Sequence, residues 1–395
     1  MDASIVSIKN KNRNIDPVIV GKGKRTAIAV NIGLSKELSN QRYIKIEIKK
    51  AMSAIEAGAD ILSDVSIAGP IKKLRERLLA ECSVPIGTLP FYEACVDAIR
   101  KTGTILNCSE QDIVRIIEEH AREGVDIMTL HAAFTSELAA LVTSSRRLIP
   151  IPSRGGALMA EYMFRHKTEN PLYSRFDEIL GILKANDVTL SIGSALRPGS
   201  IVDGLDNVFI GEMVVQGELV SRALSKGVKT IVEGIGHVPA DQILLWIKLA
   251  KRLCHGVPVR PMPIATDVGA GHDHISGAIA GAIAAMYGAD VLCCLTRTEH
   301  LGLPRVKDIT EAIFTYKIAA HIADIVKLED LVPDEKISEA RRNRDWNTMF
   351  QYALDRDGSS ELYKKLNKNI LNRNYCSMCG QLCAHRTIEK YIRRS

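Results

Sequence analysis

The sequence predicts an α/β protein whose main domain is a (β/α)8 TIM barrel. Short apolar, β-branched runs alternate with amphipathic helical segments through the middle of the chain, as is typical of parallel strands joined by crossover helices. Eight or nine such runs fit the eight strands of a closed barrel. No G-x-G-x-x-G fingerprint follows the first run, so a doubly wound sheet is the less favoured alternative.

The predicted strands are short apolar runs bounded by turn residues. They are Ala27–Ile32, Asp60–Val65, Ile86–Leu89, Ile127–Leu130, Thr189–Ile192, Thr230–Val232, Val259–Ile264 and Val291–Leu295, with Leu148–Ile151 as a ninth candidate. Apolar residues at three- and four-residue spacing predict helices. These are Tyr43–Ala57, Gln111–Arg122, Phe176–Ala185, Gly211–Ser225, Ala240–Cys254 and Ile309–Lys327.

The barrel is predicted to occupy residues 26–327, after an irregular basic lead-in over residues 1–25. Residues 328–375 are polar, charged and poor in β-branched runs, which indicates a helical extension and linker. Residues 376–395 form a tail that contains three of the nine cysteines.

The amino-acid composition limits the classes of function that the protein can have. Hydrophobic residues make up 46% of the 395 residues and charged residues 25%, which is typical of a globular protein. Neither a run of about 20 apolar residues nor the apolar core of a signal peptide is present, so we expect a cytoplasmic protein without membrane contact. The net charge of +6 is concentrated after Tyr363 and aromatic residues are only 5%, which argues against nucleic acid as a partner.

The nine cysteines fall into two groups. Six lie in apolar or helical surroundings, where a thiol usually packs as a small hydrophobic group. The other three, Cys376, Cys379 and Cys383, lie within eight residues of the tail. Three thiolates leave one iron of a 4Fe-4S cluster open to bind S-adenosylmethionine. A zinc knuckle is the alternative, and it needs a remote fourth ligand.

Polar residues follow nearly every predicted strand, where the active site of a parallel barrel lies. They are Asn31, Tyr92, His131, Ser153, Arg154, Gly155, Arg197, Glu233, His237 and His300. Arg154 and Arg197 stand beside glycine or proline turns and are suited to a phosphate, which the amide of Gly155 can also approach. His237 and His300 are candidate ligands of a metal with open coordination positions. A further polar cluster, TDVGAGHDH, is either a second layer of the site or a capped helix start.

Long and unusual segments carry a family resemblance. They are GKGKRTAIAVNIG, GADILSDVS, VPIGTLPFYEA, PSRGGALMAEY, FDEIL, LRPGSI, VEGIGHVP, ATDVGAGHDHI, TEHLGLP, TYKIAAH and CSMCG. With these, the chain resembles the radical S-adenosylmethionine enzymes related to phosphomethylpyrimidine synthase and to the enzymes that form 5-hydroxybenzimidazole.

The resemblance implies that residues 376–395 are a mobile iron–sulfur cluster arm, and that in a homodimer each arm reaches the partner's barrel. It also implies a reducing electron donor and 5-aminoimidazole ribotide as substrate. It implies that Cys376, Cys379 and Cys383 hold the 4Fe-4S cluster and that His237 and His300 hold zinc or another divalent metal. It also implies substrate contacts at the other strand-end residues. Glu233 and the three cysteines are the predicted catalytic residues.

Departures from the family pattern determine the choice of product. The thiamine enzyme typically has Met at Ser63, Asp at Ser194 and Tyr at Val259, and its cysteine spacing is one residue longer. We interpret these three positions as a rebuilt substrate pocket and count them as substrate contacts. The leading hypothesis is therefore a radical lyase that converts 5-aminoimidazole ribotide to 5-hydroxybenzimidazole. The alternatives are phosphomethylpyrimidine synthase and a non-catalytic ribotide-binding paralogue or partner subunit.

Overall fold

The computed structural model describes residues 2–35, 41–369, 375–389 and 391–392. The chain divides into two compact units, Met1–Leu328 and Glu329–Ser395. The strands, all in the first unit, are β1 Ile5–Ile8, β2 Val18–Gly21, β3 Ala27–Ile32, β4 Ile61–Asp64, β5 Ile86–Thr88, β6 Ile127–Leu130, β7 Thr189–Ile192, β8 Thr230–Gly234, β9 Val259–Pro261 and β10 Val291–Cys294.

Eight of these strands form one parallel sheet in the order β10-β3-β4-β5-β6-β7-β8-β9. The sheet curls into a nearly closed barrel, and the backbone N–H of Asp290, just before β10, donates to the carbonyl of Val259 on β9 at 3.0 Å. The strands are almost wholly buried, as expected of a parallel sheet covered by helices. The predicted (β/α)8 barrel is confirmed.

The prediction of an irregular lead-in over residues 1–25 is wrong in part, because β1 and β2 form an antiparallel pair. Their buried side chains Val6, Ile8 and Val20 pack with inward-facing residues from the first positions of several barrel strands, including Ala27 and Ile127. The hairpin therefore closes the amino-terminal end of the barrel, opposite the strand ends that carry the predicted site.

The ninth strand candidate, Leu148–Ile151, is not a strand. Leu148 is 70% exposed, and the backbone N–H groups of Leu148 and Ile149 donate to the carboxylate of Asp203 at 2.7 and 3.1 Å. A carboxylate therefore takes the place of a strand partner, and the segment is a loop that leads to the site.

The helices of the barrel unit include the six predicted ones, with ends shifted by up to four residues, and others that the sequence analysis did not predict. They are α1 Gln41–Ala57, α2 Ile71–Glu81, α3 Pro90–Thr102, α4 Glu110–Glu123, α5 Ser136–Thr143, α6 Arg154–His166, α7 Pro171–Ser174, α8 Phe176–Asn186, α9 Asn207–Ser225, α10 Ile243–Leu253, α11 Asp273–Met286 and α12 Val306–Leu328. Local signals fix their ends. Ser109 and Asp112 form a capping box at the start of α4, and Gly124 ends it in the left-handed region with φ 105°.

The second unit consists of short helices: α13 Val332–Asn343, α14 Trp346–Tyr352, α15 Arg356–Leu366 and α16 Ala384–Ile388. Trp346 stacks on Tyr363 with ring centroids 4.7 Å apart. Arg344 donates to Glu389 at 2.7 Å. Residues 390 and 393–395 of the predicted tail lie outside the described residues. Within the described parts of the two units, no helix is long and apolar enough to cross a membrane.

Candidate active site

A cavity of about 580 Å³ opens at the carboxyl ends of the barrel strands. Most of the predicted site residues line it, since consecutive parallel strands end on the same rim. They are Asn31, Ser63, Tyr92, His131, Ser153, Arg154, Arg197, Glu233, His237 and His300.

Three predicted substrate contacts do not line this cavity. Gly155 lies against the ring of His131, and a Cβ there would stand 2.4 Å from Cε1 of that ring, so the close approach requires glycine. Ser194 is fully buried and donates to Glu212 at 2.5 Å. Val259 is buried in the hydrophobic core, and the next residue, Arg260, lines the cavity instead.

One side of the cavity presents positive charge and a helix N-terminus. Helix α6 begins at Arg154 and is capped by Ser153, whose Oγ accepts the N–H of Gly156 at 3.2 Å. The Arg154 guanidinium lies over the Tyr92 ring, 5.6 Å from its centroid. Arg197 adds a second guanidinium to the lining. Guanidinium groups and the free N–H groups of a helix start both favour a bound anion such as phosphate.

The turn that carries Arg197 is held by a carboxylate that the sequence analysis missed. Glu212, buried on α9, accepts the Ser194 hydroxyl and the N–H groups of Ala195 and Leu196 at 2.5, 2.6 and 3.0 Å. Arg197 in turn donates to the carbonyl of Ser194 at 2.6 Å. Burial raises the pKa of Glu212. The available signal was an acid among the apolar residues at the start of this helix, because such a group needs partners when it is buried.

His131 and Tyr92 are neutral at physiological pH. Desolvation lowers the pKa of His131 to about 4 although Glu233 opposes the shift, and its Nε2 shares a hydrogen bond with Ser153 Oγ at 2.9 Å. Burial raises the pKa of the Tyr92 phenol, with Arg154 opposing. Both side chains therefore act through hydrogen bonds and not as charges.

The floor of the cavity holds the buried carboxylate of Glu233, on β8. Its Oε1 accepts the hydroxyls of Thr129 and Ser191 at 3.0 and 2.9 Å and lies 3.4 Å from Nη1 of Arg260. Arg260 was missed, although an arginine inside a buried apolar strand signals a paired and functional charge. Glu47 and Lys50 on α1 were also missed; they form a buried ion pair at 2.6 Å and line the cavity.

His237 and His300 come together at the rim, with ring centroids 5.3 Å apart. Nδ1 of His237 bonds to Asp267 Oδ1 at 2.6 Å, and Nδ1 of His300 lies 3.6 Å from Asp273 Oδ1. Burial lowers the pKa of His237, opposed by Asp267. A histidine whose Nδ1 faces a carboxylate is oriented to offer Nε2 to a metal. The TDVGAGHDH segment thus supplies the carboxylates behind the two histidines.

The three tail cysteines lie around a short 3-10 turn, Gly380–Leu382. Cys379 is exposed, and Cys376 and Cys383 are half-buried. Gly380 takes a left-handed φ of 52°, and its N–H donates to the carbonyl of Cys376 at 3.1 Å. Nowhere in the described residues are three or more His, Cys, Asp or Glu side chains gathered closely enough to hold a metal ion. The three tail cysteines are thus not gathered into a metal site in the described part of the chain.

This chain is similar in sequence to known proteins over nearly its full length. The profile of the Radical SAM ThiC family matches residues 1–390. The chain belongs to the Radical SAM ThiC family. A protein of Caldanaerobacter subterraneus subsp. tengcongensis, named phosphomethylpyrimidine synthase, is 43% identical over 382 residues, 96% of this chain and 87% of its own. Proteins of the same name from Methanopyrus kandleri and Methanocaldococcus jannaschii are 42% identical over 378 residues and 39% identical over 393 residues. They cover 95% and 99% of this chain, and 87% and 91% of their own.

Membership of the Radical SAM ThiC family implies an enzyme with a 4Fe-4S cluster and S-adenosylmethionine. The tail suits the cluster in its chemistry, since three thiols within eight residues, none of them fully buried, are the donors that such a cluster takes. The histidine pair suits zinc in its donor set, although two protein ligands leave the remaining positions to water or substrate.

The leading hypothesis of 5-hydroxybenzimidazole formation is wrong by this comparison, because the similar relatives of the Radical SAM ThiC family are named phosphomethylpyrimidine synthase. The structure supplies a physical reason. Of the three departures that motivated the hypothesis, Ser194 serves the backbone turn and Val259 packs in the core. Only Ser63 lines the cavity, so the pocket is less rebuilt than the sequence suggested.

Proposed function

We propose that this protein is a phosphomethylpyrimidine synthase. It is a radical S-adenosylmethionine lyase that converts 5-aminoimidazole ribotide to 4-amino-2-methyl-5-phosphomethylpyrimidine in thiamine biosynthesis. The observation that carries the proposal is the agreement between relatives of that name over nearly the whole chain and a barrel pocket with an anion site at one side.

The phosphate of the ribotide is assigned to Arg154, Arg197 and the start of α6. Two guanidiniums and the free N–H groups of a helix start bind a dianion through charge-assisted hydrogen bonds. Ser153 and Gly155 support this end. Ser153 caps the helix, and Gly155 lets the chain pack directly on His131.

The imidazole and ribose are assigned to Asn31, Tyr92, His131 and Glu233. All four line the cavity, and the neutral His131 adds no charge that would compete with the phosphate site. These residues bind and orient the substrate. Glu233 accepts protons, or hydrogen bonds from N–H groups, of the substrate.

Cys376, Cys379 and Cys383 are assigned to the 4Fe-4S cluster. When bound and reduced by an electron donor, the cluster with S-adenosylmethionine supplies a 5′-deoxyadenosyl radical. His237 and His300 are assigned to zinc or another divalent metal, oriented by Asp267 and Asp273. Because the protein offers only these two imidazoles there, the metal has positions open for substrate or product atoms.

We propose further that the protein is a homodimer in which the cluster arm of one chain serves the barrel of its partner. Helices α11 and α12 carry an exposed apolar stripe of Ile275, Ile279, Ile318, Ile322 and Val326, each about half exposed. A contiguous apolar surface of this kind marks a protein interface.

Mixed dimers test the exchange. Arg197→Met disables the barrel and Cys376→Ala disables the arm, so each homodimer is inactive. In mixed dimers isolated through two affinity tags, one of the two sites combines an intact barrel with an intact arm, so about half of wild-type turnover should be recovered if the arms act in the partner's barrel. Mixed dimers that recover no activity would show that each arm serves its own chain.

Product analysis tests the function itself. The anaerobically reconstituted protein is incubated with 5-aminoimidazole ribotide, S-adenosylmethionine and a strong reductant, and the products are separated by liquid chromatography with mass detection. We expect the pyrimidine phosphate together with 5′-deoxyadenosine. A benzimidazole product would overturn the proposal. An intact cluster that cleaves no S-adenosylmethionine would instead identify a non-catalytic paralogue or a subunit that needs a partner.

A further inference from the structure

Arg260 is a charged residue in the barrel interior for which the proposed reaction has no assigned role. It lies on β9, where it is paired in register with Glu233 of the neighbouring strand β8, and only 4% of its surface is exposed. Its guanidinium reaches across the barrel to Ser63 on β4 and lines the same cavity as Glu233. A cation at this depth is rare unless it is paired or binds a ligand.

The partners of Arg260 are too few for a buried guanidinium. Nη2 donates to Ser63 Oγ at 3.1 Å and to Cys293 Sγ at 3.8 Å. Nη1 is 3.4 Å from Glu233, longer than a usual charged hydrogen bond. Nε is buried and has no hydrogen-bond partner among the described residues. Because incompletely bonded buried donors are uncommon and costly, and Nη1 has no closer acceptor among the described residues, an acceptor atom of a ligand is expected to complete this group at Nη1.

Glu233 offers the complementary group. Its Oε1 takes the hydrogen bonds of Thr129 and Ser191 and faces Arg260. Its Oε2 makes no hydrogen bond to any residue that the structure describes. The floor therefore presents a free carboxylate oxygen beside an incompletely bonded guanidinium. Since both lie on strands and Arg154 and Arg197 lie beyond strand ends, the pair is set deeper than the phosphate site.

We infer that Arg260 is a specificity-determining residue that recognises the heterocyclic end of the substrate together with Glu233. The guanidinium donates to an acceptor atom of the aminoimidazole ring, and Oε2 of Glu233 accepts an N–H of the ring substituent. The 5-aminoimidazole ring offers both partners, because its N3 is an acceptor and the amino group on C5, one carbon further round the ring, is a donor. The inference rests on the proposed function, because that function supplies the aminoimidazole.

Binding measurements separate this role from a structural one. Isothermal titration of the full-length, cluster-loaded protein without S-adenosylmethionine compares 5-aminoimidazole ribotide with ribose 5-phosphate, which lacks the ring. Arg260→Met should weaken ribotide binding about 10- to 100-fold, the usual effect of a lost charged hydrogen bond, and should leave ribose 5-phosphate binding within about twofold. Arg154→Met is the matched control and should weaken both ligands.

Arg260→Lys guards against a folding defect, since it keeps the charge beside Glu233 but loses the planar fork. It should retain the wild-type unfolding temperature and still discriminate less between the two ligands. Equal weakening of both ligands by Arg260→Met and Arg260→Lys, or no weakening of either, would overturn the inference. A wild-type protein that binds no ribotide would instead overturn the proposed function, so the two failures are distinguishable.

Discussion

The barrel and the C-terminal unit place their cysteines in opposite environments. All six barrel cysteines are buried, and burial raises the pKa of Cys82 and Cys108 to about 11 and that of Cys254 to about 12. In the other unit Cys379 is exposed and its two neighbours are half-buried. Only an accessible thiol that can lose its proton binds metal. The barrel therefore uses cysteine for packing, and the tail keeps it available for chemistry.

Substitution of one cysteine in each unit is the most direct test of this difference between the two units. Cys376→Ala removes a proposed cluster ligand, so S-adenosylmethionine cleavage should fall below detection while thermal unfolding of the barrel stays unchanged. Cys254→Ala leaves a small cavity in the core and should lower barrel stability by about 1 kcal/mol with full iron content. The measurements are iron and sulfide analysis, 5′-deoxyadenosine release and calorimetry. A Cys254→Ala protein that lost its cluster would break the comparison.

A substitution in the proposed phosphate site should weaken substrate binding without any effect on the cluster. Arg197→Met removes a guanidinium from the cavity, and we expect ribotide affinity to fall about 100-fold with an unchanged iron content and electronic spectrum. Arg252→Met on α10, an exposed position, is the control and should bind as wild type does. Titration calorimetry reports both values. Unchanged affinity in Arg197→Met would remove Arg197 from the site.

The packing between neighbouring helices around the barrel should tolerate little added side-chain volume. A Cβ at Gly217 on α9 would lie 2.5 Å from the backbone carbonyl oxygen of Leu253, whereas a Cβ at Gly181 on α8 has no neighbour within 4 Å. Gly217→Ala should therefore lower the free energy of unfolding by about 1–3 kcal/mol. Gly181→Ala should raise it by about 0.5–1 kcal/mol. Urea unfolding measures both, and equal effects at the two sites would contradict this view of the packing.

The buried His131 should make the barrel acid-sensitive. Its pKa of about 4 is below the ordinary value of 6.5, so the unfolded chain binds a proton between these values that the folded chain does not. Stability contributed by the neutral ring is complete above pH 6.5 and is lost as the pH falls toward 4. Between pH 7 and pH 5 the loss is about 2 kcal/mol. His131→Asn should reduce this loss in urea unfolding, and an identical pH dependence would contradict a neutral, buried ring.

The regular part of the fold was predictable because buried parallel strands have an unambiguous composition. β3, β6 and β7 have the predicted bounds. The hairpin β1–β2 was missed because its strands are short and only Val6, Ile8 and Val20 are fully buried. Leu148–Ile151 was overpredicted because apolar composition does not show whether a backbone partner is present.

The site was predictable where position along the chain determines it. Residues at or just beyond the carboxyl ends of strands, such as Glu233 and His131, converge on one cavity by the geometry of the barrel. For a residue within a strand, the prediction requires knowing on which face of the sheet its side chain lies. A shift of one position along the strand moves a side chain from the pocket to the core. That is why the pocket receives Arg260 and not Val259. Glu212 acts on the turn before Arg197 from a distant helix, a contact that only the tertiary structure reveals.

The β1–β2 hairpin fills the barrel end opposite the cavity with Val6, Ile8 and Val20. In the part of the chain that the structure describes, small molecules thus enter and leave from one side. Under the proposed function, product has to leave before the next ribotide enters, because both would use the same opening and the same proposed phosphate-binding groups. Accumulated product should consequently act as a competitive inhibitor, and turnover should depend on how quickly downstream enzymes remove it.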